Sequence, residues 1–388
     1  MTEPSEQLWI DNQSALDDLI ASLHGQPTLA VDCEMDSMFA YRTSLCLLQV
    51  GWPGGEALLD GRVDLDRSGL GGLFADPAVI KVFHGGENDI GLMRIQWGLD
   101  FANIFDSMAA SQVLGHDGVG LAATLERHFG VKVSKKYQKA DWRLRPLPPD
   151  QAEYARLDVR YLVPLHELLS TELASIGRDE EAASEFDRIR RAEIEAKPFE
   201  PDSWVRVKGA RQLAPERRGL LRALYIARDD IARERNWAPY RVFQESTLLT
   251  LMERTPKDVD RVRKVRGLSR DLRDPELELL ARAVREGLAS EVIDLPRSGK
   301  PWKPAQSAGG SLTPEQQSLY DALRRWRTGR AEKRGVDVAR VATNVLLGAI
   351  ARSYPRTPDE LAAVDGMEAW RLREYGDDLL AVVTRAAS

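Results

Sequence analysis

Sliding the chain along itself by 99 residues, without gaps, pairs Leu224 with Leu323, Arg228 with Arg327, Ala232 with Ala331 and Arg235 with Arg334. The same offset pairs Arg241 with Arg340, Val242 with Val341, Leu248 with Leu347, Pro256 with Pro355, Val265 with Val364 and Gly267 with Gly366. Shared helical composition would match apolar positions, but not Arg, Pro and Gly at one fixed separation. The C-terminal half therefore reads as two copies of one small unit. From about Trp204 strand signals vanish and apolar residues recur with helical spacing, so each copy is all-helical. The copies are assigned to 203–291 and 313–388. The segment between them, 292–312, is rich in Pro, Gly and Ser and reads as a linker.

Residues 1–190 follow a different pattern. Thr28–Glu34, Leu45–Val50, Ala57–Asp60 and Val79–His84 are short apolar runs of strand type, the last two on either side of a helical turn at Leu70–Phe74. Asp89–Trp97, Ser107–Leu114, Leu121–Phe129 and the longer Pro149–Leu173 have helical spacing. A meander followed by strands alternating with helices indicates a mixed sheet with helices packed on it, an α/β domain. The acidic stretch Arg178–Asp187 marks the approach to its end.

Charge divides along the same line. Residues 1–175 carry 14 Lys and Arg against 25 Asp and Glu, whereas residues 204–270 carry 17 against 8. The overall charge of −6 hides an acidic domain suited to divalent cations beside a basic one suited to phosphate. No apolar run reaches the length of a membrane helix. The first residues lack the basic-then-apolar pattern of a secretory signal. Cys33 and Cys46 alone make neither a disulfide framework nor a zinc set, and the expected compartment is a reducing cytoplasm.

Three clusters carry the chemistry. In Val31-Asp32-Cys33-Glu34, strand periodicity puts Asp32 and Glu34 on one face and Cys33 on the other. Two carboxylates at the end of an apolar strand are costly without a cation between them. The second cluster runs from Lys81 through His84, Gly85 and Gly86 to Asp89, a strand leaving through two glycines into a helix. The third is Tyr154 with Asp158, stacked on one helix face by i,i+4 spacing. Each has an ordinary structural reading: a surface carboxylate pair, a helix N-terminal charge favoured by the dipole, and a local hydrogen bond. Asp-x-Glu pairs also occur in glycosyltransferases. Together they form a hard-oxygen ligand set that suits Mg²⁺ or Mn²⁺ rather than zinc.

At these residues the chain resembles the DEDDy 3′→5′ exonuclease superfamily and, within it, the ribonuclease D family. The resemblance spans about Thr28–Leu169. It includes Asn103-Ile-Phe-Asp106-Ser107, Leu121-Ala-Ala-Thr-Leu125, Tyr154-x3-Asp158-Val-Arg-Tyr161-Leu162, and above all Lys135-Lys-Tyr-Gln-Lys-Ala-Asp141-Trp-Arg-Leu-Arg-Pro-Leu147. The helical repeats resemble the helicase-and-RNase-D C-terminal (HRDC) domains that follow the nuclease in that family. The implied architecture is an RNase H-like α/β exonuclease domain followed by two all-α, five-helix HRDC modules. Cys33 stands where the family commonly has Thr, and Gly85 where many such exonucleases carry Asn. The second repeat has lost basic character around Leu361–Gly366.

The resemblance implies a 3′→5′ exoribonuclease with two divalent ions, releasing nucleoside 5′-monophosphates from tRNA precursors or other structured RNA; a monomer is the expected state. Asp32, Glu34 and Asp158 would hold one ion, with Asp32 and Asp89 at the other. Tyr154 would orient the attacking water. Phe39 and Tyr41 are candidates for base stacking, and His84, Lys135, Lys136, Lys139, Arg143 and Arg145 for substrate contacts. Loop packing and solvated charge are the competing readings of these residues, and Trp142 reads as a hydrophobic anchor. A DNA 3′→5′ exonuclease would use the same ligands, and a decayed, non-catalytic binding protein would retain them without purpose.

Overall fold

Apolar runs bounded by Gly, Pro and Asp build the first layer. In the computed structural model, which describes residues 6–194, 198–295 and 312–386, the chain opens with β1 (Glu6–Ile10), α1 (Gln13–Leu23) and β2 (Thr28–Met35). It continues through β3 (Leu45–Trp52), β4 (Gly55–Asp60), α2 (Ser68–Ala75), β5 (Ile80–Phe83) and α3 (Glu87–Trp97). Next come β6 (Ile104–Asp106), α4 (Ser107–Val113), α5 (Leu121–Phe129), α6 (Pro149–Arg160), α7 (Leu162–Ser175) and α8 (Asp179–Arg190). The strands form one mixed sheet in the order β1-β4-β3-β2-β5-β6. The β2-β3-β4 meander is antiparallel, while β1, β5 and β6 pair parallel to β4, β2 and β5.

Both faces are covered, so β3 and β4 are buried at every position, Gln49, Glu56 and Asp60 included. Leu29, Val31 and Cys33 of β2 pack with Leu16, Leu19, Phe74 and Met93 from α1, α2 and α3. Ala30, on the other face of β2, packs with Val82, Val159, Leu162 and Leu165 beneath α6 and α7.

The structure departs from the sequence expectation in three places. The edge strands β1 and β6, of five and three residues, are too short for a two-residue period to show. Helix α1 was likewise unanticipated, although Asn12 caps it by accepting the Ala15 N–H at 3.0 Å. The expected single helix Pro149–Leu173 is two helices meeting at Tyr161. Pro164 has no N–H to give Arg160, and its ring crowds that carbonyl, so the helix breaks one turn earlier.

The first repeat comprises α9 (Pro215–Arg235), α10 (Pro239–Val242), α11 (Glu245–Arg254), α12 (Val259–Arg263) and α13 (Asp274–Ala289). The second comprises α14 (Pro314–Arg334), α15 (Val338–Val341), α16 (Asn344–Ser353), α17 (Pro358–Ala362) and α18 (Ala369–Ala386). The first four helices of each copy start and stop at the same 99-residue offset. So do the left-handed residues: Asn236 with Gly335, Thr255 with Tyr354 and Gly267 with Gly366. Most of the expected linker, 296–311, lies outside the described residues. No helix among the described residues is long and apolar enough to cross a membrane.

Both repeats touch the α/β domain, the first through α9 and the segment after it, the second through the end of α14, the segment after it and α18. In the first, Ala238 N–H donates to Phe39 O (3.0 Å), Asn236 Oδ1 accepts from Arg42 N–H (2.8 Å), and Tyr41 Oη donates to Asp229 (2.8 Å). In the second, Arg334 holds Glu181 of α8 at 2.8 Å and Arg340 holds Glu185 at 2.6 Å. Arg178 reaches Glu374 at 3.1 Å, and Arg373 pairs with Glu180.

Candidate active site

Strand β2 carries the first two candidate ligands out of the core. Asp32 and Glu34 follow Ala30 on the α6 face, opposite Gln49 and Leu47 of β3, and the register shifts between Glu34 and Met35. From above, α6 supplies Tyr154 and Asp158, both buried. Carboxylate oxygens of Asp32, Glu34 and Asp158 lie within 4.8 Å of one another, close enough for one cation to bridge them. Asp89 sits in the first turn of α3, buried at its N-terminal end. Asp32, Glu34, Tyr154 and Asp158 open onto a cleft of about 470 Å³, also lined by His84, Lys135 and Gln138.

Burial sets the electrostatics of this group. Desolvation first, countered by the Cys33 N–H, pushes the Asp32 carboxyl up to about 7. Desolvation, then the charges of Asp32, Asp158 and Asp89, pushes Glu34 up to about 10, and desolvation with Asp32 pushes Asp158 to about 9. Asp89 is raised well above the carboxylate range by burial, Asp32 and Asp106. Such a set stays fully ionised only if cations compensate it. The donors are all oxygen, the fit expected for a hard divalent ion.

The loop string that carries the family resemblance shapes the pocket for Tyr154. Its ring lies 6.0 Å from that of Trp142, which is fully buried, and 5.9 Å from that of Tyr137. Burial, then Asp158, Glu34 and Asp32, raises the phenol further above its ordinary range, so its proton stays on.

Several residues given no role by the sequence reading hold the site together. Asp106 is fully buried at the end of β6 and accepts the N–H groups of Gly85 (2.9 Å), Gly86 (2.8 Å) and Ala109 (2.8 Å). It thereby fixes the turn that launches α3 and Asp89. Gly85 takes φ 75°, a left-handed value that an asparagine accepts less readily. Ser107 donates to Phe83 O at 2.9 Å and lies 2.9 Å from His84 Nδ1. Burial pushes His84 down to about 4, so the imidazole stands neutral in the cleft wall. Gln49, opposite Asp32, is fully buried and neither amide atom finds a protein partner. Only the separation of β2 from β3 in sequence hides it.

The substrate-contact candidates scatter. Lys135 lines the cleft, whereas Lys136 lies over the Tyr137 ring at 4.7 Å and Lys139 is exposed outside the cleft wall. Arg143 is held by Asp141 at 2.7 and 2.8 Å, with Phe39 5.1 Å from its guanidinium. Arg145, expected to meet substrate, instead donates to Asp60 (2.6 Å), Cys46 O (2.8 Å) and Trp142 O (3.0 Å). It is structural because that loop must be pinned to β4. Tyr41 is likewise committed to Asp229 rather than free to stack on a base.

The chain matches the 3′-5′ exonuclease family over residues 7–174 and the HRDC domain over residues 217–284 and 316–383. It is 31% identical to ribonuclease D of Jannaschia sp. over 92% of this chain and 89% of that one. It is 30% identical to the exosome complex exonuclease RRP6 of Saccharomyces cerevisiae, covering 74% of this chain and 41% of that longer protein. The fold aligns with the crystal structure of Escherichia coli RNase D at a TM-score of 0.61 and 23% identity, over 99% of both chains. A carboxylate cleft on an RNase H-like sheet, followed by two HRDC repeats and matched along nearly its whole length, makes this chain a member of the ribonuclease D family and an exoribonuclease of its 3′→5′ type.

Proposed function

We propose that the chain hydrolyses RNA from the 3′ end by a two-metal mechanism, and that its substrates are tRNA precursors or other structured RNAs with 3′ tails. The observation that carries the reading is the convergence of Asp32, Glu34 and Asp158 within 4.8 Å beside Tyr154. Asp32, Glu34 and Asp158 would hold one Mg²⁺ or Mn²⁺, and Asp32 with Asp89 the other. Bound there, the ions supply activation of water and neutralisation of charge on the phosphoryl oxygens. Tyr154, kept protonated by its surroundings, donates its hydroxyl to align the attacking water and takes no proton from it. Lys135 and the amide of Gln138 face the same cleft and suit the phosphates of the terminal nucleotides. The basic residues of the first repeat, 204–270, would hold the body of a structured RNA.

Digestion of a 3′-tailed tRNA precursor beside matched single-stranded DNA, in Mg²⁺, Mn²⁺ or EDTA, tests the reading. The expected result is stepwise loss of 5′-mononucleotides from RNA that EDTA abolishes. Full activity in EDTA defeats the metal mechanism, and preferential loss of the DNA makes the chain a DNA exonuclease.

A further inference from the structure

His116, His128 and Glu172 form a second ligand cluster, away from the carboxylate cleft and made of different atoms. Glu172 Oε2 lies 3.2 Å from His116 Nε2, and its Oε1 lies 3.5 Å from His128 Nδ1. The candidate ligand atoms of all three residues fall within 4.8 Å of one another. Ligands about 2.0–2.1 Å from a tetrahedral zinc ion stand roughly 3.3 Å apart, and each imidazole nitrogen already lies near that distance from one of the two Glu172 oxygens. Three separate elements contribute. His116 follows the left-handed Gly115 after α4, its N–H fixed on Ser111 O at 3.0 Å; His128 closes α5; Glu172 lies on α7. The far nitrogens, His116 Nδ1 and His128 Nε2, are buried with no protein partner.

We propose that His116, His128 and Glu172 bind a single transition-metal ion of the zinc class, with one position left to solvent on the side where Glu172 is partly exposed. Imidazole with one carboxylate selects zinc over Mg²⁺, the reverse of the preference in the cleft. The ion's place in the fold defines its task. His116 and His128 bracket Gly118, Gly120 and Leu121–Ala123, which line the cleft, so a bound ion ties both ends of that wall to α7. Gly115, beside His116, meets Gly335 of the second repeat, where an added Cβ would lie 3.1 Å from the Gly335 carbonyl oxygen. The clamp therefore sits where the cleft wall meets the second repeat.

The test titrates Zn²⁺ into the full-length protein in excess Mg²⁺, against a chromophoric chelator, with absorption spectroscopy at the zinc edge. One equivalent with imidazole scattering is expected, and Asp158→Asn should retain it. His128→Ala should weaken it by roughly 100-fold or more, since even outer-shell changes cost 10–100-fold. Glu172→Gln, at a partly exposed position that leaves the fold intact, should weaken it as well, and Zn²⁺ should raise the melting temperature of wild type but not of this variant. No zinc equivalent in wild type, or wild-type affinity in both His128→Ala and Glu172→Gln, overturns the proposal.

Discussion

Tyr154 and Asp158 share a helix face, yet the proposed mechanism gives them different tasks. Tyr154→Phe keeps the ring against Trp142 and deletes only the hydroxyl; the expected loss is on the order of 10²-fold in single-turnover rate, with Mn²⁺ affinity unchanged. Asp158→Asn removes a charged ligand, and Mn²⁺ titration should lose its tighter site along with the activity. A wild-type rate for Tyr154→Phe would make the phenol structural. The raised carboxyls also predict a pH signature. Without metal, Asp32, Asp158 and Glu34 hold protons up to about 7, 9 and 10, whereas in the unfolded chain they release them near pH 4. The folded state then binds more protons, so stability present at low pH declines as pH rises through those values. Melting in EDTA should fall between pH 6 and 9, while Mg²⁺, which binds the ionised form, should widen its advantage over EDTA across that range. A gap that stays constant with pH would show that the cluster does not hold these protons.

Among the elements, the turn between β5 and α3 depends most on one side chain. Asp106 takes three backbone N–H groups and caps α4 while fixing the entry to α3. Asp106→Ala leaves those donors buried and unpaired, at a cost of about 2–3 kcal/mol. Urea unfolding should register that cost, and the rate should fall because Asp89 loses its fixed position. Unchanged stability would mean that water replaces the carboxylate. The break at Tyr161 is of the same kind: Pro164 ends α6 so that α7 can turn to cover β2 and β5 without carrying Asp158 away from the cleft.

At the scale of the molecule, the same surface of each repeat grips the α/β domain at a different place. The first holds loop 36–44, directly after the strand of Asp32 and Glu34, through Asn236, Ala238 and Asp229. The second neutralises the acidic helix α8, where Glu181 is 2% exposed against Arg334. Arg235 and Arg241 of the first repeat correspond to Arg334 and Arg340 of the second. Yet Arg235 turns inward to Glu276 at 2.7 Å, while Arg334 reaches across to Glu181. A truncation ending near Arg190 keeps every carboxylate and should still degrade short single-stranded RNA. It loses the partners of loop 36–44 and the basic repeat, so structured RNA should bind more weakly, with a shallower slope of log affinity on log salt. An unchanged slope would assign the repeats to another partner.

Periodicity and spacing were enough to place Asp32 and Glu34 on one strand face, Tyr154 above Asp158, and two copies of one helical unit at a 99-residue offset. Those features depend on local geometry, which repeats every two or 3.6 residues and is written into adjacent positions. The edge strands were not legible, because pairing rather than pattern holds segments of three or five residues in a sheet. Nor could the sequence say which cations remain free for RNA. Arg145 sits in a basic string but is drawn to Asp60, 85 residues away in the chain, and Tyr41 to Asp229, 188 residues away. The convergence of His116 and His128 on Glu172 is equally silent in sequence. Partners so distant are chosen by how layers pack, and only the folded chain brings them within bonding distance.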